Sequence, residues 1–255
     1  TQLVISNDGR SLYAINGDSN IYHVSLDGDG KLNTSSTMAT GYGAATGGLA
    51  ISADGSYVYV GTEHDGLVTF NRNSSSGALS YFGKTGDSNE RHGVVTVQGD
   101  YVYVSFTGTA ELLRVYQRGS NGQLTLISEL MTDDNSNWLA TDYQLAVSSD
   151  GQYIYVGDPD DGSLSVYRFD ATAKSLVQVD SHTLSNITGI TFSTDGSLLY
   201  ASTEKSIEIY RVAADGSLQL ASSTATSGSN SDLALSSYGL SLLLASCRLP
   251  SAATR

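Results

Sequence analysis

Several absences narrow the reading of this chain. It has one cysteine, Cys247, so no disulfide can form within it. It has two prolines, too few for a stiff Pro-rich linker. Thirteen basic residues face 26 acidic ones, a formal net charge of −13, and only Lys31, Lys84, Lys174 and Lys205 are lysines. Nucleic acid is not expected as a partner, because binding a phosphate backbone needs a basic footprint. Anionic membrane surfaces are poor partners on the same ground. No run of 18 apolar residues exists, so membrane insertion by a helix is not expected. No stretch of ten or more residues carries apolar side chains at a 3.6-residue period, so long helices are not expected either.

What is present is a phrase repeated six times. It reads apolar, any, apolar, Ser, any, Asp-Gly, two or three residues, Tyr, apolar. The copies begin at Leu3, Leu49, Val94, Leu145, Ile190 and Leu233; four carry Asp-Gly, while the third has Gly99-Asp100 and the sixth Tyr238-Gly239 in its place. A fixed period near 45 residues marks a repeat architecture in which the unit is one small sheet. The second copy shows its content. Leu49–Ser52 alternates, Asp54-Gly55 turns the chain, and Tyr57–Gly61 alternates aromatic with β-branched residues. Leu67–Asn71 and Ala78–Phe82 follow as third and fourth runs. Short period-two runs bounded by Gly, Asp, Asn and Ser are strands. Asp-Gly suggests a type I′ hairpin.

Four antiparallel strands per repeat predict an all-β fold, a β-propeller of four-stranded blades. A β-sandwich has no reason to repeat Asp-Gly-x-x-x-Tyr. Repeats one to five are complete. The sixth holds two strands, ending in Cys247, with residues 248–255 an atypical tail. The expectation is one propeller domain over residues 1–247. Three explanations of the partial sixth repeat stand open: a fragment of a seven-bladed ring, a ring with a two-stranded last blade, or completion by a partner chain. An open blade edge would favour self-association.

The phrases Ser-x-Asp-Gly-x-x-apolar-Tyr-Val and Leu-x-Val-Tyr-Arg-x-Asp-x-x-x-Gly-x-Leu resemble the lactonase-type seven-bladed propellers, including 6-phosphogluconolactonase, carboxymuconate cyclase and the YVTN surface-layer propellers. The likeness runs from Leu3 to about Ala245. It implies the fold, and as an activity lactone hydrolysis or cycloisomerisation. Arg91-His92-Gly93 is similar to the family's His-containing segment at a blade entrance, which implies His92 and Arg91 as catalytic candidates. The entrances of repeats four and five carry no matching Arg-His pair.

Strand topology sorts the loops into two faces. Turns from first to second and from third to fourth strands share one face and are alike between copies. The other connections share the opposite face and vary. Variable loops on a rigid scaffold are where binding resides. Half of the 26 acids fall on that loop face. Asp158, Asp160 and Asp161 in one loop, and Asp133 and Asp134 in another, offer the oxygen density that Ca²⁺ or another divalent cation takes, without matching the Asp-x-Asp-x-Asp-Gly pattern. His23, His64, His92 and His182 lack the short spacing of a zinc site. Trp138, Tyr143 and Asp142 could form a stacking platform for carbohydrate. Glu63 and His64 could bind a ligand or assist a base.

The sequence alone therefore favours a secreted, periplasmic or cell-surface propeller, Ser/Thr/Gly/Asp-rich, that binds a carbohydrate or protein ligand through an acidic loop face without catalysis. The alternative is a lactonase or cycloisomerase.

Overall fold

The computed structural model describes residues 2–41, 44, 48–86, 91–107, 111–131, 144–159, 161–184, 186–226, 233–235 and 242–244. The first sheet comprises β1 (Gln2–Ile5), β2 (Ser11–Ile15), β3 (Asn20–Leu26) and β4 (Leu32–Ala39). The second holds β5 (Leu49–Ile51), β6 (Tyr57–Gly61), β7 (Leu67–Arg72) and β8 (Leu79–Thr85). The third holds β9 (Arg91–Gln98), β10 (Tyr101–Thr107), β11 (Glu111–Arg118) and β12 (Leu124–Met131). The fourth holds β13 (Gln144–Val147), β14 (Tyr153–Asp158), β15 (Ser163–Asp170) and β16 (Ser175–Thr183). The fifth holds β17 (Ile187–Phe192), β18 (Leu198–Thr203), β19 (Ser206–Val212) and β20 (Leu218–Ala225), and β21 (Leu233–Leu235) pairs with β22 (Leu242–Leu244). Each sheet runs in sequence order and every pairing is antiparallel. Among the described residues there are five four-stranded blades, one two-stranded sheet and no helix.

The first strands of consecutive blades pack on one another: β1 on β5, β5 on β9, β9 on β13, β13 on β17, β17 on β21. They form the inner side, and each blade runs outward from there.

The core lies between blades, because a central sheet buries both faces. On β6, Val58 and Val60 face the first blade, among Tyr13, Ile15 and Phe70. Tyr59 faces the third blade, among Val95, Val102 and Phe106. The period-two alternation of Tyr and Val thus serves two cores from one strand. The same division recurs at the next two interfaces, around Tyr103 and around Tyr155. Leu49 and Leu145, which have a blade on each side, are 6% and 8% exposed, whereas Leu3 and Ile5 on β1 are 66% and 57% exposed.

The Ser-x-Asp-Gly phrase is a turn that satisfies its own polar groups. Ser52 Oγ donates to Asp54 Oδ1 at 2.6 Å and accepts the Tyr57 N–H at 2.9 Å. Asp54 Oδ1 also accepts the Ser56 N–H at 3.1 Å. The set repeats with Ser148, Asp150 and Tyr153, and with Ser193, Asp195 and Leu198. The turn is not type I′. Only the glycine lies in the left-handed region, as with Gly55 at φ +70°, while its aspartate does not. Gly55 N–H closes the turn on Ser52 C=O, so the chain makes an ordinary turn and then passes through a left-handed glycine. Aspartate is required for the hydrogen bonds it accepts. Only the third blade turns in two residues, Gly99-Asp100, with Gln98 paired to Tyr101.

Blades are stapled on this turn face. Tyr13 Oη donates to the Gly77 carbonyl and accepts the Arg72 Nε–H at 3.0 Å. Arg72 Nη2 grips both oxygens of Asp8, at 2.9 and 3.2 Å. Arg118 bonds Asp54 of the preceding blade at 2.9 Å and Asp100 of its own at 2.7 Å. Tyr103 Oη donates to Gly151 C=O at 3.3 Å. Tyr59, equally buried, has no partner for its hydroxyl.

Candidate functional site

The loop face is built around the inner ends of the second and third blades. Gly61 at the end of β6 donates its N–H to Gly48 C=O at 2.8 Å, and Gly48 N–H donates to the Gly93 carbonyl. The start of β9 and the loop after β6 are therefore two backbone hydrogen bonds apart. Gly48 can only be glycine: a Cβ there would lie 1.9 Å from the Val95 nitrogen. Beside it, Ser105 Oγ, fully buried, accepts the Val94 N–H at 2.8 Å.

Arg91 and His92 open β9, opposite Thr107 and Phe106 in register. A register shift between Val104 and Phe106 marks a bulge there, a device that re-aims a strand beside a site. The backbone places both residues on the inner strand at its loop-face end. Their side chains lie outside what is described.

The loop after β6 is held by Thr62, whose Oγ1 donates to Gly66 C=O at 2.8 Å and accepts the Asp65 N–H at 3.2 Å. Glu63 N–H reaches back to Ala44 C=O, in the connection entering the second blade. Glu63 Oε1 lies 3.8 Å from His64 Nε2, and Asp65 Oδ1 lies 3.8 Å from Lys84 Nζ. Two acids and a histidine are thus gathered on one tethered loop, with Lys84 of β8 beside it. The Asp65–Lys84 pair escapes a reading of sequence, since Asp65 lies in the loop after β6 and Lys84 near the end of β8. The glycines before the repeated phrase, Gly48 in Gly-Gly-Leu-Ala and Gly93 in His-Gly-Val-Val, are the signal that could have marked this region.

The acidic loops use their carboxylates internally. Asp158 Oδ1 accepts the Asp161 N–H at 3.1 Å. Asp18 accepts Tyr22 Oη–H and the Asn20 N–H, and the bond from Tyr22 holds its carboxyl below the usual range. Among the described residues no three His, Cys, Asp or Glu side chains converge to hold a metal ion. Asp133, Asp134, Trp138, Asp142, Tyr143 and Asp160 lie outside the described residues.

Residues 85–235 match the family model described as Lactonase, 7-bladed beta-propeller. The chain belongs to this lactonase family. No curated protein matches it. Solved structures agree on the fold. A candidate 6-phosphogluconolactonase from Bacteroides fragilis superposes with a TM-score of 0.75 at 19% identity, over 95% of this chain and 75% of that one. A second from Bacteroides uniformis gives 0.75 at 16%, over 88% and 71%. A periplasmic gluconolactonase from Pseudomonas aeruginosa gives 0.70 at 15%, over 96% and 72%. The matched residues of this lactonase-family propeller include Arg91 and His92 but not Glu63 and His64.

Proposed function

We propose that this lactonase-family propeller hydrolyses a sugar-acid lactone on its loop face. The observation that carries the reading is the position of Arg91-His92, within the residues matched to the family and at the loop-face end of an inner strand. Lactone opening needs a base to activate water and a cation or donor for the developing oxyanion. His92 would take a proton from water as its oxygen bonds to the carbonyl carbon. Arg91 would stabilise the tetrahedral oxyanion. Collapse then breaks the ring C–O bond, and the departing alkoxide recovers the proton, giving the open hydroxy acid. Glu63, His64, Asp65 and Lys84 would border the substrate.

The acidic charge of the chain favours an uncharged aldonolactone over a phosphorylated one, since phosphate would be repelled. Periplasmic placement fits the Pseudomonas aeruginosa relative. Family membership supports catalysis over the non-catalytic scaffold expected from the sequence. The test is hydrolysis of glucono-δ-lactone, followed by pH-stat above the spontaneous rate. Wild type should turn over, and His92→Ala should lose on the order of 10²–10⁴-fold in kcat. Absence of turnover by wild type overturns the reading.

A further inference from the structure

We propose that a cleft on the turn face, between the third and fourth blades, binds a neutral, hydroxyl-rich ring such as a pyranose. It lies at the opposite end of the blades from the lactone site, and goes beyond that reading.

The cleft arises from local departures from the repeat. In the third and fifth blades a glycine in the turn between third and fourth strands presses on a tyrosine of the preceding blade. A Cβ on Gly122 would fall 2.3 Å from Tyr57 Oη, and one on Gly216 2.2 Å from Tyr153. In the fourth blade that turn has no glycine, and Lys174 takes the left-handed position at φ 53°. At the site of Arg72 and Arg118 stands Phe169 instead. The facing turn of the third blade is the short Gly99-Asp100. The arginine staple of the first two interfaces is missing, the bonds across this one run from Tyr103 Oη to Gly151 C=O and from Gln98 Nε2 to Ser149 C=O, and an open cleft of about 450 Å³ remains.

Its walls have the chemistry of sugar recognition. Tyr101 and Phe169 form an aromatic floor, ring centroids 5.4 Å apart and nearly perpendicular. Gln117 and Gln152 stand at the rim, each with a donor and an acceptor for vicinal hydroxyls. Arg168 adds donors. Asp170 commits one oxygen to the N–H groups of Thr172 and Ala173 and keeps the second for a ligand. An apolar floor with a few convergent polar groups is the usual form of a small-molecule site. Asp100, Asp150 and Asp170 line it with Arg168 as the lining cation, so the cleft disfavours anions.

The experiment is calorimetric titration and saturation-transfer NMR of the whole chain with methyl β-D-glucopyranoside and cellotetraose, with glucose 6-phosphate as the anionic comparison. Gln152→Trp fills the cleft from an exposed position, and Gln117→Ala removes one rim amide. Wild type should bind at least one neutral probe. Both variants should weaken it by roughly tenfold or more while melting as wild type does. Three outcomes each overturn the proposal: no binding of either neutral probe, binding that Gln152→Trp leaves intact, or tighter binding of glucose 6-phosphate. Gluconolactone turnover of Gln152→Trp should equal that of wild type, so the two sites fail independently.

Discussion

The hydroxyl of Tyr155 in the fourth blade donates to the carbonyl of Gly216 in the fifth, at 2.9 Å. Both groups are buried, so neither can turn to water. Tyr59 holds the corresponding place in the second blade with its hydroxyl unpartnered. Burial pushes both phenols above their ordinary range, and both stay neutral. Tyr155→Phe should therefore cost about 1 kcal/mol by leaving a buried carbonyl unpaired, whereas Tyr59→Phe should be neutral or stabilising. Urea denaturation of both variants tests the difference.

Gly216 serves the same staple through its backbone. It sits at φ +80° against Tyr153. Gly216→Ala should lose about 1–2 kcal/mol from the left-handed backbone alone, with the displacement of Tyr153 added. Gly28→Ala, in open space with no left-handed requirement, should leave the melting temperature near that of wild type.

Arg72 and Arg118 occupy equivalent positions in unequal surroundings. The Arg72 side chain is 3% exposed and bonds Asp8, Tyr13 and the Gly55 carbonyl. Arg118 meets carboxylates 46% and 65% exposed. Arg72→Met should cost about 2–3 kcal/mol, since it strips several buried partners. Arg118→Met should cost about 1 kcal/mol or less, as solvent screens its pairs. Equal losses in chemical denaturation would contradict this account.

Acid should loosen the turns. The hydrogen bond from Ser6 holds Asp8 well below the usual carboxylate range. Bonds from Ser193 and Ser197 lower Asp195 to about 2. Burial raises Asp54, but hydrogen bonds from Ser52 and Ser56 together with Arg118 outweigh it. A carboxyl depressed on folding contributes stability that is complete above the unfolded value of about 3.9 and is lost as pH falls through the folded value. The urea midpoint should hold between neutrality and about pH 5, then drop toward about pH 2. Asp195→Asn should reduce that drop.

Leu3 and Leu145 test the blade cores. Leu145→Ala should cost about 2–4 kcal/mol through the cavity left between two blades. Leu3→Ala, at a position 66% exposed, should cost less than about 1 kcal/mol. Similar losses would mean that Leu3 is covered in solution.

The strands and blades were legible because period-two runs and the Asp-Gly phrase are local signals. The turn type was not, because Asp-Gly also fits a longer turn whose serine and aspartate bond one another. The staples joining blades were hidden, since Tyr13 and Gly77 are 64 residues apart and nothing local pairs them. Arg91 and His92 were visible only through the family likeness, and the loop of Glu63 and His64 through its charge. What brings that loop close to β9 is a contact of backbone at Gly48, which leaves no chemical mark except the missing side chain.

The blade-to-blade hydrogen bonds also bear on how the chain acquires its shape. They reach one unit along, 48 residues from Tyr103 to Gly151 and 64 from Arg72 to Asp8. Hydrogen-bonded ladders close inside each sheet, and docking needs only the sheet before. Assembly can thus advance by successive addition, as in a one-dimensional array, and each loop closure spans about the same length. Refolding should be quicker than in a sandwich of equal size, where strands from distant parts of the chain must meet first.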